Sequence, residues 1–281
     1  MQARFLTLFS SSKGNAAYIK YGRDEILIDC GVSARSLDAA LKSAGSSLTS
    51  ISAMFLTHEH GDHIRGLAVA AKRVGFPIYA PEGCCEAIAP LIANAGQRLI
   101  PLRDLVPVSL FDTVICPVRT PHDSNDSCGF RIKAGEEKLG YFTDIGHLSE
   151  NVLRGLSGCR RVVVESNHDT TMLKSGPYPA PLKARILGER GHLSNESCSR
   201  LLPHLAAHGT ESIVLAHLSE ENNRPLIALA AAFAGLDEAG YGVVGANGAP
   251  VADVLGVTPH TVSPEKTVVL QVAPVCGTAE L

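Results

Sequence analysis

The sequence has few of the features that would place it outside ordinary globular proteins. Its 281 residues contain no tryptophan and only 5% aromatic residues. No stretch approaches the roughly 18 to 20 apolar residues that a membrane-spanning helix needs. The apolar run near the N-terminus is also too short for a signal peptide. We therefore expect a cytoplasmic protein that makes no contact with membranes.

The sequence also lacks CxxC motifs and a strong net charge. The eight cysteines form no CxxC pair, which argues against a zinc finger or a thioredoxin motif and favours reduced, mostly buried thiols. The formal charge of −3 is small, and two bound divalent cations would reverse its sign. Between residues 154 and 200, however, eight Lys or Arg face four Asp or Glu. This stretch is either a phosphate-attracting surface or an ordinary solvated face.

The chain is rich enough in apolar residues to form a large core. Hydrophobic residues make up 45% of the sequence and charged residues 19%, which excludes an intrinsically disordered protein. No Gly/Ser/Pro linker divides the first 235 residues, so we predict one domain over 1–265. Beyond Gly235 the composition shifts to Gly, Val and Pro, and we expect 266–281 to be a poorly ordered tail.

Short apolar runs bounded by Gly, Asn and Asp alternate with segments of helical spacing. The runs that predict strands are RFLTLF, AAYIKYG, EILIDCG, ISAMFLTH, FPIYAP, VSLFD, TVICPVRTP, GFRIKAG, KLGYFTD, VVVESN and SIVLAHL. Helices are predicted over 33–44, 65–74, 84–95, 194–207 and 224–236, with Ser33 and Ser194 as candidate N-terminal caps. Each half of the chain has strands followed by helices. This order predicts an α/β fold in which two sheets pack face to face with helices outside, a four-layer αββα sandwich.

The segment FLTHEHGDHIRG concentrates potential metal ligands after an apolar strand. His58, His60, Asp62 and His63 crowd into six residues, an arrangement that packing alone does not require. Imidazole and carboxylate are ligands that borderline divalent ions favour, at about 2.0 to 2.2 Å from the ion. We predict that these four residues bind metal and that Asp62 is also essential for catalysis.

Further ligands are expected at the ends of later strands. His122 follows TVICPVRTP, Asp144 follows KLGYFT and His217 follows SIVLA. A carboxylate such as Asp144 can bridge two ions about 3.5 to 4 Å apart, between which water is ionised near neutral pH and can attack phosphorus or a carbonyl carbon. The sequence therefore predicts a two-metal hydrolytic centre.

The motifs ILIDCG, THEHGDH, PHDS, FTDIG and AHLS together resemble the five ordered motifs of the metallo-β-lactamase superfamily. The resemblance implies the metallo-β-lactamase form of the αββα sandwich. It also implies that Asp29 is not a metal ligand but steadies the loop that bears the histidines.

Finer features, namely SSSKGN, PHDSNDSCGF, VESNHD, GPYPAPLKARI, GHLSN and HLSEENNRP, resemble the YycJ (WalJ)-type nucleases over about 230 residues. This second resemblance implies phosphodiester hydrolysis by a DNA exonuclease that acts from the 5′ end. Nucleic acid, and DNA in particular, is then the expected partner.

The segment GHLSN favours the same chemistry on physical grounds. A helix that begins near Ser194 and Asn195 would offer free N–H groups to a phosphate. His192 could protonate the leaving oxygen, as the corresponding histidine does in related phosphodiesterases. Other predicted substrate contacts are Ser12, Asn15, His168 and Asn222.

Two other functions stay open at this point. One is hydrolysis of a small phosphodiester or a thioester, and the other is a non-catalytic, metal-stabilised binding module. The ligand set accepts Zn, Mn or Fe, so metal identity is not determined. The sequence also leaves the oligomeric state undetermined.

Overall fold

Residues 3–260 and 265–280 are described in a computed structural model of the protein. Their strands are β1 (Arg4–Ser11), β2 (Gly14–Tyr21), β3 (Asp24–Ile28), β4 (Ala53–Phe55), β5 (Ile78–Pro81), β6 (Leu99–Leu102), β7 (Val108–Ser109), β8 (Thr113–Arg119), β9 (Cys128–Ala134), β10 (Glu137–Phe142), β11 (Arg161–Glu165), β12 (Ser212–Ala216), β13 (Gly242–Val244), β14 (Thr267–Val272) and β15 (Cys276–Glu280). Their α-helices are α1 (Ala34–Ser43), α2 (Gly61–Ile64), α3 (Leu67–Arg73), α4 (Cys85–Ile88), α5 (Ala95–Arg98), α6 (Glu150–Leu156), α7 (Thr170–Ser175), α8 (Ala180–Leu187), α9 (Asn195–Ala207), α10 (Pro225–Glu238) and α11 (Val251–Leu255).

The strands form two sheets, and the predicted αββα sandwich is confirmed. The first sheet has the order β15-β1-β2-β3-β4-β5-β6, and the second has the order β13-β14-β12-β11-β10-β9-β8-β7. Aromatic side chains fill the space between the sheets, where Phe55 meets Phe130 edge to face at 5.8 Å and Phe5 lies 6.2 Å from Tyr141. Helices cover the outer faces through two further apolar clusters. Four layers result because each sheet is apolar on both faces.

Parallel pairing brings the chemically interesting strand ends to one edge of the sandwich. Strand β3 pairs in parallel with β4, and β10 pairs in parallel with β11, which pairs in parallel with β12. Strand β8 has the same direction as β10, because each is antiparallel to β9. The carboxyl ends of parallel strands lie on the same side of a sheet, so the loops after these six strands meet.

Most of the predicted helices are confirmed, including two of their N-terminal caps. The side chain of Ser33 accepts a hydrogen bond from the Ser36 N–H at the start of α1, and Ser194 accepts from the Ser197 N–H at the start of α9. The helix predicted over 84–95 is wrong as a continuous element, because it is divided into short α and 3-10 turns. Pro90 lies within it, and proline removes an N–H and clashes with the carbonyl four residues earlier.

The region after residue 265 differs from the poorly ordered tail that we expected. Strand β14 lies inside the second sheet between β12 and β13, and both pairings are parallel. Strand β15 pairs antiparallel with β1 at the edge of the first sheet. In β14 the buried residues Val268 and Leu270 alternate with more exposed ones. The proposed boundary at residue 265 therefore does not separate a domain from a tail.

In the part of the chain that the structure describes, no helix combines the length and apolarity required to cross a membrane. The seven cysteines with described side chains are free, and five of them are buried.

The loop after β3 packs tightly against the loop after β4 that contains HEHGDH. The Cys30 N–H donates to the His63 carbonyl at 2.7 Å, and the Gly31 N–H donates to the Asn15 carbonyl at 2.9 Å. A Cβ atom on Gly31 would lie 1.7 Å from the Asp62 carbonyl oxygen. Only glycine permits this approach of the two backbones.

We expect Gly31→Ala to lower the free energy of unfolding by about 1 to 3 kcal/mol, because the added methyl group must push the Asp62 backbone away. Gly61→Ala, in the facing HEHGDH segment, is the matched control, since a Cβ there would meet nothing within 4 Å. Urea unfolding of both variants measures the difference. Equal stabilities would show that the two loops are not in close contact.

Candidate metal centre

The loop after β4 is held in place by the buried carboxylate of Asp29. Asp29 accepts hydrogen bonds from the Thr57 N–H at 2.8 Å and from the Thr57 hydroxyl at 2.9 Å. Its Oδ2 also lies 2.8 Å from Nδ1 of His63. With Nδ1 donating to the carboxylate, the Nε2 atom of His63 is the one left to bind a cation. Asp29 thus has the geometry of a residue that orients a ligand.

Three further predicted ligands join the loop from other strand ends. His122 follows β8, Asp144 follows β10 and His217 follows β12. All three side chains are buried, and Asp144 and His217 have positive φ angles of 59° and 57°. Such left-handed backbone is uncommon for residues other than glycine, and it turns the chain sharply where each strand ends.

Six of the seven predicted ligands fall into two adjoining groups, and Asp144 clusters with His58 and His63 and also with Glu165, His192 and His217. Nε2 of His122 lies 3.2 Å from Nδ1 of His60, and His58 completes this group. Nε2 of His217 lies 3.4 Å from Oδ2 of Asp62, and His63 completes the other.

Asp144 lies between the two groups. Its Oδ2 is 3.3 Å from Nε2 of His63, and its Oδ1 is 3.6 Å from Nε2 of His122. This position is what a carboxylate shared by two ions requires.

These distances and the unpaired atoms fit divalent cations. Two ligands that are each about 2.1 Å from one ion lie about 3.0 to 3.4 Å apart at octahedral or tetrahedral angles. Three of the observed separations, 3.2 to 3.4 Å, agree with this range, and the 3.6 Å between Asp144 and His122 lies slightly above it. Nε2 of His58 and Oδ2 of Asp144 are buried without a hydrogen-bond partner among the described residues. Buried polar atoms rarely lack partners, so these two atoms favour a bound ion.

The electrostatics of the cluster favour the same conclusion. Burial disfavours the charged form of His217, but the neighbouring carboxylates of Asp144, Asp62 and Glu165 outweigh it and raise the pKa of His217 to about 10. Burial likewise opposes the charge on Asp144, yet His217 and His63 hold the pKa of Asp144 well below its usual range. Burial lowers the pKa of His58. Protons on imidazoles thus balance the carboxylates, and a divalent cation can displace them.

Glu165, which sequence reasoning missed, is the central partner of the second half of the site. Its Oε1 lies 2.7 Å from Nδ1 of His217 and 2.9 Å from Nδ1 of His192, while Oε2 accepts the N–H groups of Ile145 and Leu193. Burial opposes its charge, but His192 and His217 lower the pKa of Glu165 to about 2. The sequence signal that could have identified Glu165 is its position as a carboxylate at the end of the buried run VVVE.

His192 lies at the margin of the metal cluster, as its predicted role requires. Its ring is 5.1 Å from that of His122 and 5.3 Å from that of His217, measured between centroids. Ser12 is exposed and, together with His192, lines a cleft of ≈ 200 Å³ that opens onto His60, Asp62, Asp144 and His217.

Three predicted phosphate contacts have internal partners instead. Asn15 is buried, and its Nδ2 lies 3.0 Å from the Ser11 carbonyl and 3.1 Å from Nε2 of His63. The Ser194 hydroxyl is used as the cap of α9. Asn195 accepts from the Ser166 hydroxyl at 2.7 Å and is buried. The side chains of Ser194 and Asn195 are therefore engaged within the fold, and binding of a phosphate by the N–H groups at the start of α9 stays a prediction.

His168 and Asn222 are buried beside the site but do not line the cleft. Both ring nitrogens of His168 and both side-chain amide atoms of Asn222 lack hydrogen-bond partners among the described residues. Their role as substrate contacts stays a prediction. His147 is exposed, its Nδ1 lies 2.8 Å from the Glu189 carbonyl, and it is outside the ligand groups.

Comparison with known proteins agrees with the fold. Residues 24–218 match the family described as Beta-lactamase superfamily domain. The chain is 33% identical over 244 residues to the Bacillus anthracis protein named exodeoxyribonuclease YycJ, covering 86% of this chain and 92% of that protein. It is 29% identical to exodeoxyribonuclease WalJ of Streptococcus pneumoniae, covering 78% of this chain and 83% of that protein.

Among solved structures, the metallo-β-lactamase-fold protein YhfI from Bacillus subtilis superposes with a TM-score of 0.69. The match covers 99% of this chain and 100% of that one at 15% identity, so it bears on the fold alone. The fold, the family match and the similarity over most of the chain agree: the protein belongs to the metallo-β-lactamase superfamily, in the group that contains YycJ and WalJ.

Proposed function

We propose that the protein is a metal-dependent phosphodiester hydrolase that degrades DNA as an exonuclease from the 5′ end. The observation that supports it most is the convergence of seven ligand side chains with a histidine, His192, that Glu165 holds at their margin. The names of the relatives YycJ and WalJ support DNA as the substrate. The 5′ direction rests on the resemblance of the sequence motifs to this group of nucleases.

The ligand groups divide naturally between two ions. His58, His60 and His122 would hold one, and Asp62, His63 and His217 would hold the other, with Asp144 shared between them. Zn²⁺ and Mn²⁺ suit imidazole and carboxylate ligands best, and Fe is also compatible. Bound there, the two ions would ionise a water as the nucleophile and offset the negative charge that develops on the phosphate.

Glu165 would orient both the proton donor His192 and the metal ligand His217. Glu165 accepts from Nδ1 of His192, so Nε2 is the nitrogen available to give a proton to the leaving oxygen. The same Glu165 oxygen accepts from Nδ1 of His217 and turns Nε2 of that ring toward Asp62. One buried carboxylate therefore positions a metal ligand and the candidate general acid together.

The test is digestion of single- and double-stranded DNA and RNA labelled at either end, with Mn²⁺ and with Zn²⁺, before and after chelation. We expect release of nucleotides from the 5′ end of DNA only when metal is present. Activity confined to a small phosphodiester, with little dependence on salt, would contradict a nuclease, because contacts to several phosphates give a steep salt dependence. Bound metal without any turnover would instead indicate a binding module.

Asp144→Asn should reduce activity by at least ~100-fold, because loss of a ligand must exceed the 10- to 100-fold cost of losing a residue that only orients one. Asparagine keeps the size of the side chain and tolerates the left-handed backbone at this position. Metal content by mass spectrometry and digestion with Mn²⁺ measure the effect. Asp253→Asn, an exposed change on α11, is the control. Full activity of a folded Asp144→Asn protein would rule out this centre.

Glu165→Gln should lower metal affinity or activity by about 10- to 100-fold, because the neutral amide no longer stabilises positive charge on the rings of His192 and His217. The dependence of the rate on pH should also change, whereas a purely structural loss would not move it. Glu211→Gln is the matched control, since Glu211 pairs with Arg160 on the surface. A Glu165→Gln protein with the parent pH profile and metal affinity would show that Glu165 positions neither histidine.

A further inference from the structure

The segment that joins α7 to α9 crosses the mouth of the metal cleft. Within it, α8 (Ala180–Leu187) has no fully buried residue and belongs to none of the three apolar clusters. Three of its side chains, Leu182, Arg185 and Ile186, nevertheless line the cleft that contains His60 and Asp62, as does Tyr178 just before the helix. A helix that is not needed for the core but faces the metal ligands is placed to contact a substrate.

Arg185 is the only Lys or Arg among the described residues that line this cleft. Its Nη2 donates to Oδ1 of Asp123 at 3.0 Å, and its Nε donates to Oδ2 of the same carboxylate. Asp123 directly follows the candidate ligand His122, and its Oδ1 lies 3.5 Å from Nε2 of that ring. The ion pair therefore fixes the guanidinium across the cleft from the loop that supplies a metal ligand.

The pairing leaves part of the guanidinium available. Arginine has five N–H donors in a planar fork, and the contact with Asp123 uses only Nε and Nη2. A phosphate can be bound by the remaining Nη1 group, and the fork is already oriented before the phosphate arrives. The other titratable groups of the cleft, Asp62, Asp144 and the histidines, are the candidate metal ligands and the candidate general acid.

The remaining side chains of the segment offer an apolar wall next to Arg185. Tyr178, Leu182 and Ile186 are half-buried and line the same cleft. An aromatic ring binds the face of any nucleobase, whereas an arginine binds the phosphate. The cleft, of ≈ 200 Å³, is too small for a base pair, whereas a phosphate and part of its nucleoside can enter it.

We infer that residues 178–186 form a subsite for one unpaired nucleotide, with Arg185 binding a phosphate and Tyr178 contacting the base. This inference rests on the proposed nuclease function, since it concerns how a nucleic acid strand enters the same centre. It assigns strand recognition to a segment outside the sandwich and outside the metal ligands.

The experiment compares Arg185→Ala, Arg185→Lys and Tyr178→Ala with the parent on a short single-stranded oligonucleotide. Binding is measured by fluorescence anisotropy in several salt concentrations, and cleavage kinetics are measured with Mn²⁺. Lys183→Ala is the matched control, because it removes a positive charge and a hydrogen bond to the Lys174 carbonyl from the same helix but does not line the cleft. It reports what loosening of α8 does by itself.

We expect Arg185→Ala to weaken binding by about 10- to 100-fold, the range for a charge-assisted hydrogen bond. The slope of log affinity against log salt should fall by about 0.7, as for one lost phosphate contact on a single strand. Arg185→Lys should recover part of the affinity but not the bidentate geometry. Tyr178→Ala should weaken binding to a normal strand and leave binding to an abasic strand unchanged.

The inference is overturned if Arg185→Ala behaves like Lys183→Ala, whether both are normal or both are equally impaired. It is also overturned if Tyr178→Ala weakens binding to normal and abasic strands alike. Failure of the proposed function gives a different result, because the parent protein would then neither bind nor cleave the oligonucleotide.

Discussion

The cost of burying charged carboxylates is the constraint on which the rest of this site depends. Asp29, Asp144 and Glu165 are each at most 2% exposed, and a buried charge is costly unless hydrogen bonds or opposite charges compensate it. Asp29 and Glu165 are compensated by N–H groups and imidazoles. Oδ2 of Asp144 has no hydrogen-bond partner among the described residues, although it lies 3.3 Å from Nε2 of His63. A carboxylate oxygen that could bind a cation is therefore placed where two groups of imidazoles meet.

The backbone conformation of Asp29, Asp144 and His217 places their side chains at the edge of the sheets. Asp29, Asp144 and His217 each follow a strand, and all three have left-handed backbone although none is glycine. Such conformations cost on the order of 1 to 3 kcal/mol each and persist only where surrounding contacts enforce them. Here the Phe55 carbonyl accepts the Asp29 N–H, and the Ser10 hydroxyl accepts the His217 N–H at 2.7 Å. Because the chain turns directly after each strand, these side chains leave the sheet at its edge, where the site lies.

The sandwich and the segment over the cleft have different physical roles. The sheets and their outer helices bury the apolar side chains, and this scaffold is shared with proteins of as little as 15% identity. The segment around α8 buries little and is held across the cleft by the ion pair between Arg185 and Asp123. Proteins that share a fold can differ in function because their sites differ, and segments such as this one are part of the site.

Much of the fold was predictable because it is encoded locally. Runs of four to eight apolar residues bounded by turns predicted most strands, and Ser33 and Ser194 predicted where two helices begin. The continuous helix over 84–95 failed because one proline outweighed the helical spacing around it. Strands β14 and β15 escaped prediction because their stability comes from pairing with β12, β13 and β1, which are distant in the chain.

The sequence by itself determined the candidate ligands, since HEHGDH concentrates four of them and His122, Asp144 and His217 each follow an apolar run. Only the tertiary structure decided how they are used. It separated them into two groups around Asp144, gave Glu165 its two histidines, and turned Asn15 and Asn195 into the interior. Residue type and spacing specify which atoms can bind a cation. Distances between residues more than a hundred positions apart follow only from the packing of the two sheets.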